Sequence, residues 1–209
     1  MKKQLIIMLI IPVFVFAQTT EELDFISPFN DDIAAIKKDN SWGFINNIGD
    51  IVIPFREDLV LTENDGYKYP IFKNNRCLIS ENRNGIIYFG YIDKMGKTVI
   101  EPKFLNALNF DNNQALAIKL TTQTIGTNEL LNKRVVYYKY FEVIINTDGG
   151  TKDYILGPIN IVLDKKFLKQ PPKITSKSIS KDLVATVNKN GKWIIKSITP
   201  YYESKPKLR

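Results

Sequence analysis

The sequence has no histidine, and that single absence removes whole classes of chemistry. Ser-His and Cys-His nucleophiles need an imidazole as base, and His-based metal sites need it as ligand. Cysteine occurs once, as Cys77. One thiol forms no internal disulfide, and it builds neither a thiolate zinc site nor an iron–sulfur cluster. Cys77 lies in Arg76-Cys77-Leu78-Ile79, which reads as a strand, so a buried, inert thiol is expected there. Beyond the first residues no stretch keeps a helical apolar period, although Thr19 to Phe25 has room for one short turn. Carboxylate pairs are the catalytic chemistry left open.

Long apolar runs are scarce as well. The one at the start, Leu5 to Phe16, follows the basic Lys2-Lys3 and closes on Val15-Phe16-Ala17. A positive start, a short apolar run and small residues at the −3 and −1 positions are the layout of a secretory signal peptide. The run is shorter than the roughly 20 residues of a membrane span. No cysteine stands directly after it, so a lipid anchor has no attachment point there. Cleavage after Ala17 leaves Gln18 first and 192 residues, enough to bury a core without disulfides.

Charge is distributed unevenly. The formal net charge is +7. Residues 18–110 hold 10 basic and 14 acidic side chains, whereas residues 161–209 hold 12 basic and 3 acidic. An anionic partner for the C-terminal end is the expectation.

Internal repetition organises the rest. Trp42-Gly43-Phe44-Ile45, then Gly49-Asp50-Ile51-Val52-Ile53-Pro54, recurs as Phe89-Gly90-Tyr91-Ile92, then Gly96-Lys97-Thr98-Val99-Ile100-Glu101-Pro102. The offset is 47 residues from Gly43 to Gly90 and again from Gly49 to Gly96. Weaker echoes are Ala115 to Lys119, Phe141 to Gly150 and Leu183 to Lys196, with a polar insertion at Thr121 to Lys133. Such aromatic and β-branched runs favour a pleated, half-buried surface. Gly49, Gly96 and Gly149 sit between two runs each, where a tight turn takes positive φ. Asn190-Gly191 reads as a two-residue hairpin turn, and Pro54 and Pro102 as strand ends. Gly43 and Gly90 suggest a close approach, with an aromatic of the adjacent repeat lying across them.

This order of aromatic-Gly-aromatic-Ile, Gly turn and Val-Ile-x-Pro resembles the WG-repeat family of bacterial proteins. Trp42, Gly43, Gly49 and Pro54 carry the first copy, and Phe89, Gly90, Gly96 and Pro102 the second. The third copy lacks the aromatic-Gly pair, and the fourth has Trp193-Ile194 where Trp-Gly is expected. The resemblance implies an all-β chain of tandem antiparallel β-hairpin repeats, two clear and two degenerate. It implies no reaction. The expected division is a signal peptide over 1–17, a repeat region over 18–157 and a basic C-terminal segment over 158–209 with a degenerate hairpin.

No catalytic, cofactor or metal residue is read from the sequence. Asp31-Asp32, Glu57-Asp58 and Glu21-Glu22 are adjacent acids, not acids opposed across a cleft as glycoside hydrolysis requires. Asn30-Asp31-Asp32 and Asp111-Asn112-Asn113 are oxygen-rich but lack the spacing of a calcium loop. Lys165, Lys166, Lys169 and Lys173 are the candidate polyanion contacts, with a solvated linker as the plainer reading. Tyr67, Tyr69, Tyr137, Tyr138, Tyr140, Tyr201 and Tyr202 divide between core and ligand stacking in a way that sequence does not sort. The expected role is a non-enzymatic exported module that binds or scaffolds at the cell envelope, in the periplasm, at the surface or secreted. Its expected partner is another envelope protein or an acidic surface polymer, not nucleic acid, with no membrane span. The alternatives are a polysaccharide hydrolase using paired carboxylates and a purely structural or secretion-accessory protein. Mass spectrometry of the exported protein should find Gln18 at the N-terminus; a chain still starting at Met1 contradicts the signal-peptide reading.

Overall fold

Short β-branched and aromatic runs punctuated by Asn, Asp and Gly give sixteen strands and no helix among the described residues. A computed structural model describes residues 22–128 and 133–198; the expected signal peptide, Glu21, Tyr201 and Tyr202 lie outside them. Strands β1 (Phe25–Asn30), β2 (Ile33–Lys38), β3 (Ser41–Asn46) and β4 (Ile51–Arg56) form one antiparallel sheet in that order. A small hairpin, β5 (Thr62–Asn64) and β6 (Tyr67–Tyr69), follows. Then come β7 (Phe72–Lys73), β8 (Arg76–Arg83), β9 (Ile86–Ile92), β10 (Thr98–Ala107), β11 (Gln114–Asn128), β12 (Lys133–Asn146) and β13 (Thr151–Ile161), which make one seven-stranded sheet. The last sheet is β14 (Lys177–Ser180), β15 (Leu183–Val187) and β16 (Trp193–Ser197). The chain is all-β and built of antiparallel hairpins.

One loop identifies four repeats. Asn46, Asp93, Asn146 and Asn188 each use the side-chain Oδ1 to accept backbone N–H groups two and four residues on. The backbone N–H of the residue three on, always glycine, donates to the carbonyl of the same Asn or Asp. That glycine has φ of +91, +77, +77 and +73° at Gly49, Gly96, Gly149 and Gly191, where a Cβ is strained. Three-stranded units therefore recur as β2-β3-β4, β8-β9-β10, β11-β12-β13 and β14-β15-β16. Both weak copies are real. Two details differ from expectation. Asn190-Gly191 is part of this longer loop and not a two-residue turn. Trp193 follows the loop, so it matches Ile51; the position of Trp42 and Phe89 is held by Glu142 in the third unit and Val184 in the fourth.

The aromatic-Gly pair works within one repeat. Trp42 pairs with Arg56 and Phe44 with Ile53, so β4 carries an extra residue opposite Gly43. In the second unit, Phe89 pairs with Phe104 and Tyr91 with Ile100, and the extra residues face Gly90. A Cβ on Gly43 would lie 2.8 Å from the Ile53 carbonyl oxygen, and one on Gly90 would collide with that of Ile100. The neighbour that requires glycine is thus the bulge of the repeat's own third strand, not an aromatic of the next repeat. Pro54 and Pro102 sit inside these bulges, where a missing N–H is tolerated, and their strands run on to Arg56 and Ala107.

Alternation then puts apolar residues on both faces of each unit. Ile33, Ala35, Trp42 and Phe44 of the first unit meet Cys77, Ile79 and Ile92 of the second in one core. Leu78, Phe89 and Tyr91, on the other face of the second unit, meet Ala115, Ala117, Val143 and Ile145 of the third. The seven-stranded sheet bends at β10, which pairs with β9 and then with β11, so that two halves of one sheet enclose this core. Ile53 packs under Gly96 and Ile100 under Gly149, the same step made twice. Cys77 is fully buried here, and burial pushes its thiol pKa up.

The fourth unit breaks the pattern. Phe44, Tyr91 and Ile144, each two residues before the loop, all face the following unit. Thr186 is the fourth residue of this series, yet it is buried against Ser176 on the face where Val184 turns back onto Leu116, Ile144 and Ile155 of the third. The last unit is laid face-down, and Gly191 has nothing within 4 Å. The polar stretch Thr121 to Lys133 does not divide the third unit; it lengthens the β11–β12 hairpin, with pairing kept from Thr121↔Lys139 to Asn128↔Lys133. Strand β13 likewise runs through the expected boundary at residues 157 and 158.

Glu142 fastens the reversed unit. It is 1% exposed, and its carboxylate accepts the Thr175 N–H, the Thr175 hydroxyl and the Ser176 N–H at 2.7, 2.8 and 2.9 Å. A buried carboxylate is tolerable when donors surround it in this way. Glu142→Gln replaces one acceptor oxygen by a donor facing donors. It should cost about 2 kcal/mol in chemical denaturation and speed hydrogen exchange at the Thr175 and Ser176 amides. Unchanged exchange at both amides contradicts this role.

Candidate anion-binding groove

The segment after β13 is where sequence placed the polyanion contacts, and it is no solvated linker. Val162 to Ser176 lies against the seven-stranded sheet: Leu163, Leu168 and Ile174 pack on Ile86, Leu105 and Ile118. The Asn106 side-chain amide donates to the Pro172 carbonyl at 2.8 Å. A turn is set by Asp164, whose carbonyl accepts the Phe167 and Leu168 N–H groups and whose side chain accepts the Lys166 N–H at 2.8 Å. The turn holds Lys165 and Lys166 beside the tip of the β8–β9 hairpin.

That tip is a two-residue turn, Asn84-Gly85, with φ of +56 and +84°. The Asn82 side chain accepts the Gly85 N–H. A Cβ on Gly85 would meet the Lys165 side chain at 2.9 Å, so the aliphatic stem of Lys165 lies directly on the glycine. Between the hairpin tip, β10 and the turn runs a groove of about 750 Å³ lined by Arg83, Ile86, Tyr88, Lys103, Leu163, Asp164, Lys165 and Lys166. Four cations and one acid line it, and the acid already serves its own turn. The Arg83 guanidinium lies 5.5 Å from the Tyr88 ring centre and also pairs with Glu81 at 2.6 Å. That pair raises the pKa of Arg83 and lowers that of Glu81.

The structure therefore joins Lys165 and Lys166, but not all four predicted lysines. Lys169 lies in a separate small crevice against Gly85, Ile86 and Ile87. Lys173 is exposed beyond Pro172 and lines neither. Sequence reasoning missed Arg83, Lys103 and Tyr88, which come from the acidic half of the chain. Asn84-Gly85 was the available signal, since it marks a hairpin tip that carries Arg83.

The acid pairs have other duties. Asp31 accepts the Asn75 N–H at 2.7 Å and Asp32 pairs with Lys94, which ties the first unit to the second. Asn74 accepts the Asn113 N–H at 3.0 Å in the next such contact. Asp58 takes a two-point contact from Arg56, whose third nitrogen donates to the Gly96 carbonyl. Of the tyrosines, Tyr69 is buried, whereas Tyr67 and Tyr137 are exposed. No group of three or more metal-ligating side chains occurs among the described residues, and no helix there is long and apolar enough to cross a membrane.

Comparison with protein families finds the WG containing repeat at residues 22–42, 42–77 and 89–119. No curated protein and no solved structure matches the chain.

Gly85→Ala tests the contact that sets the groove. Gly66 has the same turn conformation, with φ of +82° and nothing within 4 Å, so Gly66→Ala measures backbone strain alone. Gly85→Ala should be the more destabilising by about 1 kcal/mol, because it also displaces Lys165. Equal denaturation midpoints would show that Lys165 is not seated on the turn.

Proposed function

Residues 22–77 and 89–119 carry the WG containing repeat, and from that premise we propose that the chain is an exported, non-catalytic module that binds an acidic polymer of the cell envelope. The observation that supports this reading is the convergence of Arg83, Lys103, Lys165 and Lys166 on one groove from three separate segments. Convergent cations focus field into a cleft and raise the local concentration of an anionic chain. Tyr88, with Arg83 over its ring, adds an aromatic surface to the groove that a sugar ring would meet. The surrounding repeats supply the rigid frame, since hairpin tip and turn are both held by packed strands.

Polygalacturonate, a carboxylated polysaccharide, serves as the probe. Titration calorimetry should show weak binding that falls as salt rises, because fields at a surface decay over about 8 Å at physiological ionic strength. Lys103→Gln with Lys165→Gln and Lys166→Gln should remove most of the heat, while Lys169→Gln with Lys173→Gln should leave it nearly intact. Undiminished binding by the first variant, or release of reducing sugar by the wild type, contradicts the proposal.

A further inference from the structure

The reversed fourth unit leaves one sheet face without a neighbour. Strand pairing puts Leu183, Ala185 and Val187 of β15 on that face opposite Ser197, Ile195 and Trp193 of β16. Lys177 of β14 lies across from Ala185. Trp193 is 54% exposed and Ile195 67%. In the second and third units the corresponding residues just before the loop, Ile92 and Ile145, are wholly buried by the preceding repeat. Turning the last unit over has used its other face against Glu142 and Ile144, so this one faces solvent. An exposed apolar patch of this kind marks a contact with another phase or molecule.

Its charges say which. The Lys177 ammonium lies 5.3 Å from the Trp193 ring centre, and exposed Lys181, Lys189 and Lys192 stand in the two loops that border the sheet. Asp182 is the one acid between residues 177 and 198. A second copy meeting the same face would bring two lysine rims together. A bilayer offers an apolar layer directly beneath an anionic one, the order in which this face presents Trp and Ile within a rim of lysine. Tryptophan favours that boundary, and lysine stems reach from it to phosphate. We propose that the outer face of β14–β16 is a peripheral docking surface for bilayers containing anionic lipid, with Trp193 and Ile195 inserted at the headgroup level.

Sedimentation with vesicles tests it. The full chain after removal of residues 1–17 should pellet with mixed phosphatidylcholine–phosphatidylglycerol vesicles and remain in solution with phosphatidylcholine alone. Brominated acyl chains should quench Trp193, whereas Trp42, 8% exposed between two units, is out of reach. Ile195→Asp and Trp193→Ser should each weaken binding by about tenfold, since each removes a large apolar side chain from the contact. Lys181→Gln with Lys189→Gln and Lys192→Gln should lower it by about fivefold per lysine. The triple groove variant at Lys103, Lys165 and Lys166 should bind vesicles like the wild type. The proposal is overturned if vesicles do not bind, if Ile195→Asp binds as well as the wild type, or if the groove variant alone abolishes binding. It is equally overturned by a dimer that Ile195→Asp dissolves in the absence of lipid.

Discussion

The bulged third strand lying across a strand glycine is the contact on which this architecture depends. A regular β4 or β10 would continue flat beside its partner. The extra residues opposite Gly43 and Gly90 instead fold that strand over and redirect it toward the next repeat. In β10 the effect is visible within a single strand, which pairs first with β9 and then with β11. Without that bend the two apolar faces of each unit would have nothing to meet. A three-stranded sheet with Cys77, Ile79 and Ile92 on one side and Leu78, Phe89 and Tyr91 on the other cannot be stable alone, so the repeats fold as a stack.

A stack needs an end, and the third unit provides it by changing chemistry at one position. Where the first two units carry Trp42 and Phe89, the third carries Glu142. An aromatic there would invite another repeat in the same orientation. A buried carboxylate demands donors, and the chain supplies them from Thr175 and Ser176, which fixes where the last unit starts. Val184 is then turned inward onto the third unit, and further stacking in the original direction is blocked.

The route between β13 and β14 has a second consequence. To reach the position at which it can lie face-down, the chain crosses the seven-stranded sheet and is held there by Leu163, Leu168 and Ile174. Lysines that would otherwise be solvated are carried to the tip of the β8–β9 hairpin, beside Arg83 and Lys103. The groove is thus a by-product of closing the array, and its basic character combines residues from both halves of the chain.

Local chemistry alone determined much of this. Alternating apolar residues, turn-forming Asn, Asp and Gly, and a recurring aromatic-Gly-aromatic run specify antiparallel hairpins in four copies, because period and turn geometry are properties of a few neighbouring residues. Burial of Cys77 was legible for the same reason. Other features were set by distant parts of the chain. The prolines look like strand ends until the bulge opposite glycine is seen. Trp193 looks like a repeat aromatic until the loop register places it one strand later. Glu142 reads as an ordinary charge in a strand, and only the return of Thr175 and Ser176 makes it a clamp. Lys165 and Lys166 become partners of Arg83 and Lys103 because a sheet face had to be covered, a demand that arises between residues about 60 to 80 positions apart and leaves no mark on local sequence.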